Sequence, residues 1–208
     1  MRTERVHLFL VRHGETEANR QGLALGRADV PLNENGRKQA TQLSAALSGD
    51  PIVAVYSSPL VRAVETAGPI AATHQQLPVQ IEPRLIEMDI GDLDGLTFAQ
   101  VRERYPRLLE LWTSAEGPRA AMPGGERLQD VQRRATEAME LIAKRHSGGG
   151  ACLVTHNFVI LAILADVLGI DLSGFRRLRH NVAAITTLEL SRGRWRIVRL
   201  NDACHLRD

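Results

Sequence analysis

Three short runs of uninterrupted apolar residues divide the chain, at 6–11 (VHLFLV), 52–56 (IVAVY) and 151–155 (ACLVT). Their brevity and branched residues read as strands buried on both faces, because a half-solvated strand would alternate with polar positions. A helical pattern follows each. Asn33 opens one helix, in which Ala40, Leu43 and Leu47 recur at helical spacing. Ser58 and Pro59 offer an N-cap and first position for a second, running toward His74 with Pro69 as a kink point. Asn157 caps a third that ends near Gly169. Between 126 and 146, Leu128, Val131, Ala135, Ala138 and Ile142 form one amphipathic stripe, closed by the glycines at 148–150. Residues 182–190 and 194–200 predict a closing hairpin around 191–193.

Strands that alternate with helices imply an α/β three-layer sandwich, with a mostly parallel central sheet and helices on both faces. Residues 85–125, which include a Gly/Pro-rich loop from 117 to 125, read as a small helical cap on one domain spanning 1–208.

Composition narrows the function classes. With 208 residues, 44% apolar and 24% charged, the chain is that of an ordinary globular protein. Cys152 and Cys204 are the only cysteines, too few for a disulfide framework and in keeping with a reducing compartment. A net charge of +2 does not argue for nucleic acid. The arginines at 176, 177 and 179 and at 192, 194, 196 and 199 read as a solvated face, and 4% aromatics leave little surface for stacking bases. The longest apolar run, 158–165, stops at Asp166, short of the ~20 residues that cross a bilayer. The N-terminal Arg2, Glu4 and Arg5 precede an apolar stretch too short for a signal peptide. The expectation is a cytoplasmic protein without a membrane or nucleic-acid partner.

Ligands of open parallel sheets sit beyond the carboxyl ends of the strands. The first strand runs into Arg12-His13-Gly14-Glu15-Thr16, the second into Ser57-Ser58-Pro59 with Arg62 just beyond, and the third into His156-Asn157. Two histidines and two arginines thus fall at equivalent topological positions. Alone, each would be an ordinary strand-end polar residue or surface ion-pair member. Together with helix N-termini they describe an anion pocket, and paired guanidinium forks favour phosphate. Neither histidine has a His, Cys or Asp partner at ligand spacing, and no HExxH, paired CxxC or Walker motif occurs, so no metal or cofactor is expected. His7, His74, His146, His180 and His205 read as surface or packing residues, and Ser57 and Ser58 sit in no Gly-x-Ser-x-Gly elbow.

The same residues resemble the histidine phosphatase superfamily, the phosphoglycerate mutase-like proteins. The run from Arg12 to Thr16 with Asn19 downstream is similar to the signature of that family. So are Gly26-Arg27-Ala28-Asp29-Val30-Pro31-Leu32-Asn33 with Gly36, Gln39 and Ala40, and Ser57-Ser58-Pro59-Leu60-Val61-Arg62-Ala63 with Glu65-Thr66-Ala67. Glu87-Met88-Asp89-Ile90-Gly91, Pro123-Gly124-Gly125-Glu126 and Val154-Thr155-His156-Asn157 complete the order. The resemblance implies that His13 attacks phosphorus as a neutral imidazole, giving a phosphohistidine. Arg12, Arg62 and a charged His156 would hold the peripheral oxygens, with Asn19 and the N–H groups near Gly14 and Asn157 in support. Glu87 would protonate the leaving alcohol and then activate water, its pKa raised by the nearby phosphate. Spacing alone does not separate Glu87 from Asp89, Asp92 and Asp94; only the motif selects it.

A second hydroxyl in place of water would make the protein a phosphoglycerate mutase. Met88-Asp89-Ile90 after Glu87, where mutases carry Arg-His-Tyr, and the compact cap look like the phosphatase branch. Ile160-Leu161, where many relatives carry an arginine, and Ile90 and Leu93, where aromatics are common, leave the substrate among small phosphate esters open. In the cap, Trp112, Tyr105, Arg102 and Arg119 are candidates for substrate selection; Trp112 reads more readily as a core anchor. A monomer or homodimer, and a catalytically silent phosphate-binding module, are also compatible with the sequence.

Overall fold

The computed structural model describes residues 5–206; Arg2 and Glu4 lie outside them. Six strands and seven α-helices follow one another as β1 (Val6–Arg12), α1 (Glu17–Arg20), α2 (Glu34–Leu47), β2 (Ile52–Ser57), α3 (Val61–Thr73), β3 (Val79–Ile81), α4 (Phe98–Arg104), α5 (Pro106–Thr113), α6 (Leu128–Arg145), β4 (Gly150–Thr155), α7 (Asn157–Leu168), β5 (Ile185–Ser191) and β6 (Arg194–Asp202). The sheet order is β3-β2-β4-β1-β5-β6. The first four neighbours run parallel, and β5 and β6 complete the sheet as an antiparallel hairpin.

The unbroken apolar runs divide between two cores. In β1, Leu8 and Leu10 face one side with Ala151 and Leu153 of β4, against Leu128, Val131, Ala135, Ala138 and Ile142 of α6 and the apolar α7. Phe9 and Val11, with Cys152 and Val154, face the other side against Leu43 and Leu47 of α2 and Ala63, Ala67 and Ile70 of α3. Successive side chains of a strand point to opposite faces, so a strand covered on both must be apolar throughout. Ile142 is fully buried in the first core. Ile142→Ala should cost about 2–5 kcal/mol and lower the thermal midpoint by roughly 10 °C at this chain length; calorimetry measures it.

The helix starts differ from the sequence expectation in two places. Helix α3 begins at Val61, after Leu60, whose side chain gives no cap. The cap comes from another loop, where Asp29 Oδ1 accepts from the Val61 N–H at 2.7 Å. Helix α7 is capped by His156, and Asn157 is its first residue. Both displaced polar residues, Ser58 and Asn157, are used in the site below. Strand β3 was not legible, being a three-residue edge strand of mixed polarity beside β2. Arg194 and Arg196 are exposed on one face of the edge strand β6, the solvated face read from the sequence.

Candidate active site

Parallel register brings the site together. Arg12 pairs with Thr155 across β1 and β4, and Ser57 pairs with Val154 across β2 and β4. The chains leave the sheet side by side: the His13 N–H donates to the Thr155 carbonyl at 3.0 Å and the Ser58 N–H to the Val154 carbonyl at 2.9 Å. His13 and His156 therefore meet, with ring centroids 5.1 Å apart. Both are buried.

His13 Nδ1 lies 2.7 Å from the Gly14 carbonyl. A carbonyl only accepts, so Nδ1 carries the proton and Nε2 the lone pair. Burial, then Arg12 and Arg62, drive the His13 pKa well below its ordinary value, so the ring is neutral. Gly14 donates its N–H to Thr66 Oγ1 at 3.0 Å, and Thr66 Oγ1 donates to the Arg62 carbonyl, tying β1 to α3. A Cβ on Gly14 would come within 2.6 Å of the Gly36 carbonyl oxygen, and one on Gly36 within 2.1 Å of that of Glu15. Two backbones cross there, and neither glycine can be replaced without moving the turn that bears His13.

Arg62 is fully buried. Its Nη1 donates to the Ala28 carbonyl at 2.7 Å and its Nη2 to the Gly26 carbonyl at 2.6 Å. Arg12 Nη1 donates to the His180 carbonyl at 2.6 Å and to Asn157 Oδ1 at 3.2 Å. Burial pushes the Arg12 pKa down to about 10, opposed by Glu87, and also lowers that of Arg62; the lowered Arg12 still leaves a cation at neutral pH. With one edge of each guanidinium anchored on backbone, Nε of Arg12, Nε of Arg62 and Nδ1 of His156 are buried nitrogens with no partner within the protein. Unpaired buried donors are costly, and three of them on residues that follow the carboxyl ends of neighbouring parallel strands fit a multivalent oxyanion.

The sequence expectation of a charged His156 is not met. Burial, reinforced by His13, Arg62 and Arg12, drives its pKa well below the ordinary value. Neutral His156 can still donate. Its Nε2 lies 2.7 Å from Ser58 Oγ, which itself accepts from the Leu60 N–H. Ser58 Oγ has a proton to give and a second lone pair, so it can pair with Nε2 in either tautomer; Nδ1, the unpartnered atom, carries the proton when Ser58 is the donor.

Glu87 is buried, and its Oε1 accepts from the Met88 N–H at 2.8 Å and its Oε2 from that of Phe158 at 3.4 Å. Its pKa is raised, as expected, but by burial; the Met88 N–H and the arginines pull the other way. Residues missed by the sequence reading hold its loop. Arg134 donates to the carbonyls of Arg84, Ile86 and Glu87 and pairs with Glu126, which in turn accepts from the Asp89 N–H. Asp89 pairs with Arg27, and Asp94 accepts from the N–H groups of Gly26 and Ala28. Two of the three neighbouring acids, Asp89 and Asp94, are thus occupied by structural partners, and the third, Asp92, is exposed.

The remaining candidates have the following partners. Asn19 spends its amide oxygen on Thr16 in the capping box of α1. Arg119 pairs with Glu116, both exposed, and Arg102 stacks 5.0 Å over the Phe98 ring. Trp112 packs edge-on against Phe158 and Phe175, an anchor as read. Among the described residues no group of three or more His, Cys, Asp or Glu side chains could hold a metal ion, and no helix is long and apolar enough to cross a membrane.

A mostly parallel α/β sheet with paired imidazoles and anchored guanidinium groups at its carboxyl edge defines a phosphoryl-binding class of protein. The chain belongs to the histidine phosphatase superfamily (branch 1), whose family model matches residues 8–203. It is similar to phosphoserine phosphatase 1 of Hydrogenobacter thermophilus, at 36% identity over 97% of this chain and 94% of that protein. It is also similar to the metal-independent phosphoserine phosphatase of Arabidopsis thaliana, at 34% identity over 98% of this chain and 84% of the relative. The solved structure of YhfR from Bacillus stearothermophilus superimposes with a TM-score of 0.90 at 31% identity, covering 97% of this chain and all, 100%, of that one.

Proposed function

We propose that the protein is a metal-independent phosphomonoesterase that hydrolyses small phosphorylated metabolites through a phosphohistidine on His13. One observation carries this reading: the His13 Nδ1 proton is committed to the Gly14 carbonyl, which leaves the Nε2 lone pair free beside the His156 ring, while the buried Nε atoms of Arg12 and Arg62 and Nδ1 of His156 lack partners within the protein. The phosphatase names of the relatives reported above support it further.

In the first step Nε2 of His13 forms a bond to phosphorus as the ester P–O bond breaks, and the Glu87 carboxyl passes its proton to the departing alkoxide. Arg12, Arg62 and His156 hold the equatorial oxygens, whose charge spreads in the transition state. The guanidinium groups supply the positive charge that a metal would otherwise bring. In the second step water attacks phosphorus, Glu87 as carboxylate takes its proton, and the N–P bond breaks, returning neutral His13 and releasing phosphate. Asn157, by holding Arg12, is a positioning residue.

The raised pKa of Glu87 keeps the acid protonated further toward neutrality than an ordinary carboxyl group. The first step therefore falls off as pH rises through that raised value. Glu87→Gln should lower kcat/KM on alkyl phosphates by about 10²–10⁴-fold and flatten that alkaline limb. The loss on p-nitrophenyl phosphate should be far smaller, since its phenolate leaves without a proton. The reading itself is tested by phosphate release measured beside phosphoglycerate interconversion, in chelator. Release unaffected by chelator and well above interconversion is expected; interconversion in excess would make the protein a mutase.

A further inference from the structure

Beside the anion site lies an apolar chamber of about 340 Å³, more than twice the engineered cavity of about 150 Å³ that binds benzene. Leu23, Ile90, Leu93, Trp112, Met122 and Phe158 are among its walls, and no charged side chain lines it. Its walls continue those of the anion site. Leu25 precedes Gly26, whose carbonyl anchors Arg62; Ile90 follows Glu87 by three residues; and the N–H of Phe158 reaches Glu87 Oε2 at 3.4 Å. Glu87, the proton donor of the proposed reaction, thus hydrogen-bonds to one of the residues that line the chamber.

We propose that this chamber takes the organic half of the substrate, and that the enzyme selects phosphate monoesters of apolar alcohols over charged ones such as phosphoserine. This rests on the phosphatase reading and names its substrate class. A carboxylate or ammonium placed in the chamber would lose its hydration with no partner to replace it. Of the nearby cations, Arg102 stacks over the ring of the lining residue Phe98, and the others have polar partners. Arg27 pairs with Asp89 and Glu126, Arg119 with Glu116, and Arg176 donates to the carbonyls of Trp112, Thr113 and Ser114.

The test is kcat/KM for ethyl, butyl, hexyl and 2-phenylethyl phosphates, whose alcohols share nearly the same acidity, beside phosphoserine and 3-phosphoglycerate. The account expects a rise of up to about fourfold per methylene, the transfer free energy of one CH₂, with hexyl phosphate above both charged esters. Met122→Gln, close in size, should flatten the alkyl series while leaving ethyl phosphate within about twofold. Phe98→Asp, at an exposed lining position, should do the same without burdening the fold. A flat series in the unaltered protein, or phosphoserine ahead of hexyl phosphate, overturns the proposal and leaves the phosphatase standing. Release of phosphate from none of the esters overturns both.

Discussion

His13→Ala is expected to lower phosphate release by on the order of 10⁴-fold or more, as removal of a covalent nucleophile does elsewhere. It should also abolish phosphate labelling of the protein. The labelled species in the unaltered enzyme should be lost in acid and kept in base, as a phosphoramidate is. The variant should fold, because the imidazole makes one hydrogen bond, to the carbonyl of its neighbour Gly14. It should also keep binding vanadate, since Arg12, Arg62 and His156 are untouched. The control is Ser58→Ala. Ser58 and His156 lie 2.7 Å apart and imitate a nucleophile and its base, but His156 Nδ1 has no carboxylate behind it. Loss of activity on removing Ser58 alone, with an acid-stable label in the unaltered enzyme, would transfer the nucleophile to the serine.

Arg62→Lys carries the second large effect. Lysine keeps the charge but not the fork that holds the Gly26 and Ala28 carbonyls at 2.6 and 2.7 Å while aiming Nε inward. Removing one preorganised donor of this kind costs about 10²–10³-fold in kcat. Leaving two buried carbonyls without their partner costs stability as well, about 1–3 kcal/mol for each left unsatisfied. The expected result is a fall of that size in kcat/KM together with a lower thermal midpoint. A variant within tenfold of the unaltered enzyme would show that Arg62 only braces the 26–28 loop.

The fold and the four central residues were legible because both follow from local pattern plus topology. A run such as VHLFLV reads as a doubly covered strand, parallel strands place their carboxyl ends at one edge of the sheet, and the pairing of β1 with β4 makes Arg12-His13 and His156-Asn157 neighbours. What was not legible rests on contacts between distant loops. Asp29 replaces Ser58 as the cap of α3 across 32 residues, and Arg134 reaches the Glu87 carbonyl across 47; no spacing rule encodes either. The charge of His156 was misread for a related reason, since burial among cations decides it and burial appears only in the folded chain. Glu87, which spacing could not separate from Asp89, Asp92 and Asp94, stands apart in the structure because it is buried, whereas Asp89 and Asp94 are occupied by Arg27 and by backbone N–H groups and Asp92 is exposed.

A crystal structure with vanadate soaked into the protein tests the convergence of these groups most directly. The account predicts one vanadium within bonding distance of His13 Nε2, its equatorial oxygens accepting from Arg12 Nε, Arg62 Nε and His156 Nδ1. Vanadate bound away from His13, or held by Ser58 Oγ in its place, would contradict it.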